Sequence, residues 1–222
     1  MNELYWVITL IISFVGVLLF YKFYGKTGLF IWLVLSTIIS NIQTVKLVYL
    51  FGVETSLGNV LYGTTFLATD ILNEKYGKEV ARKSIFYCFS SMVAMTILMS
   101  LSLLYVPSVN DFANDSLITI FTLNIRITIA SITGYVISQF YDTWLYSKLR
   151  EKYKALWIRK SGSTMVSQLI DTFLFTAIAY IGEVPLMTVL SIGVSTYLFK
   201  LFINMLDTPI IYMAIKIKTR EE

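Results

Sequence analysis

Basic residues divide this chain into long apolar stretches. Of the 18 Lys and Arg residues, 15 fall in four clusters, at 22–26, 75–83, 148–160 and 216–220, and the sequence between the clusters is almost continuously apolar. An apolar stretch of roughly 20 residues is long enough to cross a bilayer as a helix. Lys and Arg accumulate in the loops that join such helices on the cytoplasmic side. The pattern therefore predicts a chain that crosses a membrane many times.

The composition agrees with a single integral membrane domain over residues 1–222. The chain is 56% hydrophobic and only 14% charged, whereas soluble domains have about 25% charged residues. The net charge of +4 does not indicate nucleic-acid binding, because basic residues at membrane edges are explained by orientation and by anionic lipid head groups. The lipid bilayer is therefore the expected partner, and no nucleic acid is expected.

The expected fold class is an all-α, polytopic bundle of about seven transmembrane helices. The third candidate span, residues 57–73, is the shortest and most polar, so a bundle of six spans with a re-entrant segment is the alternative. No basic segment precedes the first stretch, which is therefore expected to remain as a span and not to be cleaved as a signal peptide. The candidate spans are residues 4–21, 28–51, 57–73, 84–106, 117–141, 162–182 and 186–215.

The connections between the candidate spans alternate in charge. The first, third and fifth loops and the C-terminal tail hold all of the clustered Lys and Arg residues, and the other loops and the N-terminus hold none. The positive-inside rule then places the N-terminus outside and the C-terminus in the cytoplasm. This orientation requires an odd number of spans and so favours seven over six. The fifth loop, of about 20 residues, is expected to form a helix on the membrane surface.

Charged and amide side chains lie inside several candidate spans, where charge is unfavourable and usually functional. Gln168 and Asp171 are three residues apart and share a helix face, and Lys200, Asn204 and Asp207 form a polar stripe along the last span. Such stripes face a bundle interior or a water-filled cavity. Lys200 is a candidate partner of Asp171.

Two or three charged residues would be enough to hold a helix bundle together through ion pairs. This chain has more polar groups inside its candidate spans than that role requires. We therefore predict a polar cavity that binds a polar solute near the middle of the membrane. Arg126 is expected to pair with an acid that the sequence does not identify. The candidate binding residues with polar side chains are Asn41, Gln43, Asp70, Glu74, Arg126, Gln139, Gln168, Asp171, Lys200, Asn204 and Asp207.

Several function classes are excluded or disfavoured by what the sequence lacks. The chain has no histidine, which removes histidine metal sites and histidine-based triads, and its one cysteine, Cys88, cannot form an internal disulfide. No Gly-rich phosphate-binding loop is present, so the chain is not expected to hydrolyse ATP, and no cofactor is expected. An acid–base dyad of Asp171 and Asp207 is the enzyme alternative, but no nucleophile or metal-ligand spacing supports an enzyme.

Two further patterns point to the polar interior. The sequence Ser-Gln-x-x-Asp occurs at 138–142 and again at 167–171, which suggests the same local role for both copies or a coincidence. Asp207-Thr208-Pro209 interrupts the last span. Proline removes a backbone donor, so this segment is either a packing kink or a break that lines a cavity.

The most specific segment is TFLATDILNEKYGKEVAR, residues 65–82. Together with Arg126, SQxxD at 138–142, LWIRKSGSTMVSQLIDT at 156–172 and DTP at 207–209, it resembles the queuosine precursor transporter family, also called vitamin uptake transporter-like. The resemblance implies an importer in the bacterial cytoplasmic (inner) membrane. Its substrates would be 7-deazaguanines for tRNA modification: 7-cyano- or 7-aminomethyl-7-deazaguanine, queuine or queuosine.

The chemistry of such a substrate suggests roles for the candidate residues. A carboxylate can accept the ring N–H and the exocyclic amine side by side, and a Lys, Arg or amide can donate to the ring carbonyl. The flat rings require aromatic walls, for which Tyr62, Phe66 and Tyr197 lie at suitable depth.

Two transport modes fit the sequence. A stand-alone secondary transporter would use a proton or ion gradient to drive uptake of the 7-deazaguanine. It could also let the substrate equilibrate across the membrane and rely on trapping in a later step. The alternative is the substrate-binding subunit of an ATP-driven importer of the energy-coupling-factor type. The sequence leaves open which precursor is carried, what drives its uptake and whether the protein forms a homodimer.

Overall fold

The structure is a computed structural model that describes residues 1–44, 46–121, 125–182 and 185–219. The regular secondary structure of this part is helical apart from one short antiparallel β-hairpin, which confirms the all-α prediction. The helices are α1 (Asn2–Thr44), α2 (Asn59–Tyr76), α3 (Lys78–Ser102), α4 (Asn114–Phe121), α5 (Ile125–Lys152), α6 (Leu156–Tyr180) and α7 (Leu186–Lys216), and the strands are β1 (Leu47–Leu50) and β2 (Val53–Ser56).

Helix α1 consists of two halves that fold back on each other. Gly25 interrupts it with φ 52° and ψ −135°, a conformation that only glycine adopts readily. The two halves, 2–24 and 26–44, pack so closely that a Cβ on Gly16 would lie 2.3 Å from the indole ring of Trp32. The first two predicted spans are therefore the two arms of one helical hairpin.

The predicted end of the second span was wrong. The sequence indicated a helix over 28–51, but the helix ends at Thr44 and β1 follows. The chain reverses at Phe51 and Gly52, both of which have positive φ values, and such turns favour a β-hairpin over a continuing helix. Residues 122–124 of the fifth predicted span, 117–141, lie outside the described part, and the described residues on either side of them are helical, in α4 and α5.

The predicted surface helix in the fifth loop is not present. Helix α5 continues to Lys152 and α6 begins at Leu156, so only residues 153–155 join them. Lys148 stays exposed on the extended α5, as a solvated flanking residue should. Lys160, by contrast, is completely buried, so its assignment to a flanking basic cluster was wrong.

Within the described residues, α1, α3 and α7 are long and apolar enough to cross a membrane by length and composition. Helices α2, α5 and α6 carry more polar groups, and α2 lies at the centre of the bundle, where it contacts α1, α3, α5 and α7. Residues 63–73 of α2 are buried without interruption. Helix α2 therefore forms the interior of the bundle, where the sequence had placed a cavity.

The two ends of the bundle differ in character. At one end, which we call the hairpin end, the Asn2 side chain donates to the carbonyl of Tyr49, and the backbone N–H of Phe51 donates to Glu3. At the other, which we call the basic end, α5 and α6 meet beside the end of α2, where Arg159 pairs with Glu74.

Candidate functional site

A cavity of about 450 Å³ lies inside the bundle toward the hairpin end, between α1, α2, α5, α6 and α7. It reaches the surface near the exposed Ser191. The volume is within the range of pockets that bind small molecules. Hydroxyl and amide side chains make up most of its polar wall: Ser40, Asn41, Thr44, Thr55, Ser56, Asn59, Ser131, Ser191, Ser195 and Thr196.

The floor of the cavity is an ion pair. Lys200 Nζ lies 2.5 Å from Asp171 Oδ2 and also donates to Thr172 Oγ1 at 3.2 Å. The hydroxyl of Tyr62 donates to Asp171 Oδ1 at 2.7 Å, and the ammonium of Lys200 lies 5.0 Å from the centre of the Tyr62 ring. Asp171 is 4% exposed and Lys200 6%, so the pair is nearly desolvated and each charge depends on the other.

The close approach of α5 brings Asp171 into place. Gly134 on α5 lies against Asp171, and a Cβ at this position would come within 2.9 Å of Oδ1 and 3.3 Å of the backbone carbonyl of Asp171. A side chain there would separate the two helices. The glycine therefore allows α6 to present its carboxylate at the level of Lys200.

Aromatic side chains form part of the cavity wall. Tyr62, Tyr135, Phe175 and Tyr180 all line it, and the rings of Tyr62 and Tyr135 meet edge to face with their centres 6.3 Å apart. Flat apolar faces beside a charged floor suit a planar heterocycle with polar edges.

A second group of buried charges lies nearer the basic end. In this group, which we call the acid cluster, Lys160 Nζ pairs with Asp207 and also donates to the side-chain and backbone oxygens of Asn204. The hydroxyl of Thr164 donates to Asp70 at 3.2 Å, and Ser167 donates to Asp142 at 2.7 Å. The acid cluster comprises Asp70, Asp142, Lys160, Asn204 and Asp207.

The acid cluster is separate from the cavity floor. Lys160 and Asp171 are 11 residues apart on α6, which corresponds to roughly 16 Å at 1.5 Å per residue. Asp171 bonds to Lys200 while Asp207 bonds to Lys160, so the two acids do not form the acid–base dyad that the sequence allowed.

The repeated Ser-Gln-x-x-Asp sequence has a structural counterpart in the antiparallel packing of α5 and α6. Ser167, from the second copy, donates to Asp142 of the first. Gly134, one turn before the first copy, packs against Asp171 of the second. The two aspartates therefore lie at different levels of one helix pair, Asp142 in the acid cluster and Asp171 at the cavity floor.

At the basic end, the Asp-x-x-Asn-Glu segment ties α2 to its neighbours. Glu74 pairs with Arg159 at 2.8 Å and accepts a hydrogen bond from Tyr146 at 2.9 Å. Asn73 donates to the carbonyl of Thr143 at 3.2 Å. These contacts fasten the end of α2 to α5 and α6.

The structure brings four of the candidate binding residues together at the cavity. Asn41, Tyr62, Asp171 and Lys200 line it, and the expected pairing of Lys200 with Asp171 is confirmed. The remaining candidates lie elsewhere in the bundle.

Three polar candidates, Asp70, Asn204 and Asp207, belong to the acid cluster, and Glu74 lies at the basic end. Gln139 and Gln168 are buried between the cavity floor and the acid cluster, where Gln139 donates to Thr65 at 3.3 Å.

The other candidates lie behind or beside the cavity. Phe66 is buried behind Tyr62, with ring centres 5.6 Å apart, and the hydroxyl of Tyr197 donates to the carbonyl of Met165. Gln43 is half-buried and does not line the cavity, and the side chain of Arg126 lies outside the described part.

Sequence reasoning missed Lys160 because it stands at the end of a basic cluster. A signal was present, since Lys160, Thr164, Ser167 and Asp171 recur every three or four residues and continue one polar face of α6. The aromatic wall residues Tyr135, Phe175 and Tyr180 were also missed, because an aromatic residue in an apolar helix carries no signal of which way it faces.

No group of three or more His, Cys, Asp or Glu side chains that could hold a metal ion occurs in the described ranges. What the cavity offers is hydrogen bonding from one carboxylate, one ammonium, amides and hydroxyls. This is the chemistry of a binding site for a small polar molecule.

Comparison with known proteins agrees with this geometry. The family model described as "Putative vitamin uptake transporter" matches residues 56–214. A protein of Bacillus subtilis named "Probable queuosine precursor transporter" is 43% identical over 100% of this chain and 98% of its own length. A Haemophilus influenzae protein of the same name is 33% identical over 70% of this chain and 66% of its own length.

The third relative, from Escherichia coli, is named "Queuosine precursor transporter" and is 29% identical over 72% of this chain and 70% of its own length. No solved structure matches. The chain therefore belongs to the queuosine precursor transporter family, a family of membrane transporters whose family model is described as a putative vitamin uptake transporter.

Proposed function

We propose that this protein is a multi-pass carrier that imports queuosine precursors across the bacterial cytoplasmic membrane. The whole chain acts as one transporter domain with seven spans. The hairpin end faces outward and the basic end faces the cytoplasm, as the positive-inside rule favours for the Lys and Arg residues of the basic end. The substrates are 7-deazaguanines, with 7-cyano- and 7-aminomethyl-7-deazaguanine as the simplest members.

The observation that carries the proposal is the carboxylate of Asp171 at the floor of a small-molecule cavity. A carboxylate has about four acceptor sites, and Asp171 uses one on each oxygen, for Tyr62 and for Lys200. One site on each oxygen is left for the ring N–H and the exocyclic amine of a 7-deazaguanine, which lie side by side. The substrate therefore adds to the ion pair without replacing either partner.

The rest of the cavity supports the same ligand. Tyr62, Tyr135 and Phe175 provide faces for the flat rings, and Asn41 and Asn59 provide amides for the remaining polar edge. A cavity that reaches the surface near the hairpin end is in place to receive substrate from outside. The chain needs no ATPase partner for this binding step, so we propose a stand-alone secondary transporter.

Binding is tested with the purified chain in detergent against a panel of guanine analogues. A ligand of the folded state stabilises it by about 2.7 kcal/mol at a concentration of 100 Kd, so 7-deazaguanines should raise the melting temperature. Asp171→Asn should abolish the rise, because the amide offers the substrate an N–H where it needs an acceptor. Glu79→Gln, which changes an exposed acid on α3, is the matched control and should bind normally.

Transport is tested with the same proteins reconstituted into liposomes without any other subunit. Wild type and Glu79→Gln should exchange labelled 7-cyano-7-deazaguanine across the membrane, and Asp171→Asn should not. A folded wild-type protein that neither binds nor exchanges any 7-deazaguanine would refute the proposal.

A further inference from the structure

The acid cluster contains more acids than cations. Three carboxyl groups, those of Asp70, Asp142 and Asp207, meet one ammonium, that of Lys160. Lys160 pairs with Asp207, so no described cation pairs with Asp70 or Asp142, which are 1% and 0% exposed. Two adjacent carboxylates buried without a cation are strongly unfavourable.

The hydrogen bonds of these two acids leave one oxygen of each without a donor. Asp70 Oδ2 accepts from Thr164 and Asp142 Oδ1 accepts from Ser167. Asp70 Oδ1 and Asp142 Oδ2 are buried and receive no hydrogen bond from other groups in the described part of the chain. The two carboxyl groups are neighbours in the acid cluster, and the hydroxyl of Ser163 also lies beside Asp142. Two carboxylates are both acceptors, so they bond only when one of them carries a proton.

We propose that Asp70 and Asp142 share one proton and that this carboxyl pair is the coupling site of a proton-driven carrier. The inference rests on the proposed transport function and specifies its energy source. One proton binds the pair from the outer side with each substrate and leaves toward the cytoplasm. The step breaks no covalent bond other than the O–H bond and needs no further reactant.

The charged groups around the pair come from four helices. The charged neighbours of Asp70 are Asp142 from α5, Lys160 from α6 and Asp207 from α7. The phenol of Tyr146 on α5 also faces Asp70. Glu74, one turn nearer the basic end of α2, is satisfied by Arg159 and Tyr146. None of these contacts supplies a second cation to the two acids.

Two buried glutamines lie between the pair and the cavity. Gln139 lies on α5 three residues before Asp142, and Gln168 on α6 three residues before Asp171. Both are buried, and the Oε1 atom of each receives no hydrogen bond from the described residues. These amide oxygens can receive a proton-carrying water or a polar edge of the substrate between the two levels.

Helix α7 links the two charged sites mechanically. It carries Lys200 of the cavity floor and, one and two turns later, Asn204 and Asp207 of the acid cluster. Pro209 follows inside the same helix and cannot donate its backbone hydrogen bond, which weakens α7 at the level of Asp207. A shift of α7 therefore changes the partners of both sites together.

The first test uses wild-type protein in liposomes and labelled 7-cyano-7-deazaguanine. An interior one pH unit more alkaline than the medium should produce about tenfold accumulation for one proton per substrate. An equal sodium gradient without a pH gradient should produce none. Accumulation driven by sodium, or exchange that the pH gradient leaves unchanged, would overturn the inference.

The second test separates the proton site from the substrate site. In Asp142→Asn the amide can donate an N–H to Asp70, which then no longer needs the proton, so accumulation driven by the pH gradient should be lost while exchange of labelled for unlabelled substrate continues. Glu79→Gln should retain both. Normal gradient-driven accumulation by Asp142→Asn contradicts the proposal.

A third measurement needs no variant and covers the case in which Asp142→Asn does not fold. A pH-sensitive dye trapped inside wild-type liposomes should report acidification when substrate is added outside. Exchange without acidification removes the coupling inference and leaves the transport function intact. Absence of exchange under every condition removes both.

Discussion

Asp171 and Lys200 depend on each other because neither charge has another counterion in the cavity floor. Both are nearly buried, and their other contacts are hydroxyl groups, those of Tyr62 and Thr172. A hydroxyl stabilises a charge but does not neutralise it. The pair therefore affects the stability of the protein as well as the proposed binding of substrate. Single and double substitutions should change stability and binding differently, so they can separate the two effects.

Lys200→Met should destabilise the protein by about 3–5 kcal/mol, because it leaves the carboxylate of Asp171 buried without a cation. The double variant Lys200→Met with Asp171→Asn removes both charges and should recover most of that loss. Thermal unfolding in detergent measures both effects. Substrate binding should remain absent in the double variant, since the acceptor for the base edge is gone. Equal stability of the single and double variants would show that the ion pair is not the source of the loss.

At the scale of elements, the contact between α5 and α6 positions one aspartate at each level of the bundle. The two helices are antiparallel, so the start of one lies beside the end of the other. The two copies of Ser-Gln-x-x-Asp therefore place their aspartates at different levels of the shared interface. The small residue Gly134 sets the distance between the helices at the cavity level. Ser167 bridges the helices at the level of the acid cluster through its bond to Asp142.

Gly134→Ala should impair substrate binding, because the added methyl group meets both the carboxylate and the backbone of Asp171. Overpacking of this kind costs about 1–3 kcal/mol. Gly162→Ala is the matched control at the same helix pair, where the Cβ would meet only the flexible end of Leu149 at 3.3 Å. It should be neutral or slightly stabilising, since alanine favours a helix over glycine.

Melting temperatures and affinities for 7-cyano-7-deazaguanine would be compared for Gly134→Ala and Gly162→Ala. If Gly134→Ala binds as well as wild type, close approach of α5 at Asp171 is not required for the site.

At the scale of the whole molecule, the apolar stretches predicted the helices well, because their length is set by the membrane they are suited to cross. The β-hairpin was not predicted, since its strands β1 and β2 are short and follow an apolar run without a break. Spacing along a helix predicted the pairing of Lys200 with Asp171, both of which face inward at similar depth.

Depth and helix face do not specify which neighbour a side chain meets, and this limited the prediction of the site. Asp70 and Asp207 share the polar interior with Asp171 but lie at another level. Glu74 belongs to the Asp-x-x-Asn-Glu segment and was expected to contact substrate. In the structure it forms an ion pair with Arg159 and accepts a hydrogen bond from Tyr146. The partners of such residues depend on how the helices pack, which the spacing within one helix does not contain.

The charge difference between the two ends of the bundle predicts its orientation in the membrane. Val109 lies between α3 and α4 at the hairpin end and is fully exposed, and Lys152 is exposed at the basic end. The native Cys88 is buried, so wild type should not react with a membrane-impermeable maleimide and serves as the control. In intact cells Val109→Cys should be labelled and Lys152→Cys should not, because Lys and Arg residues are retained on the cytoplasmic side. Lys152→Cys should react only after the membrane is permeabilised. The reverse pattern would contradict this orientation and place the mouth of the cavity on the cytoplasmic side.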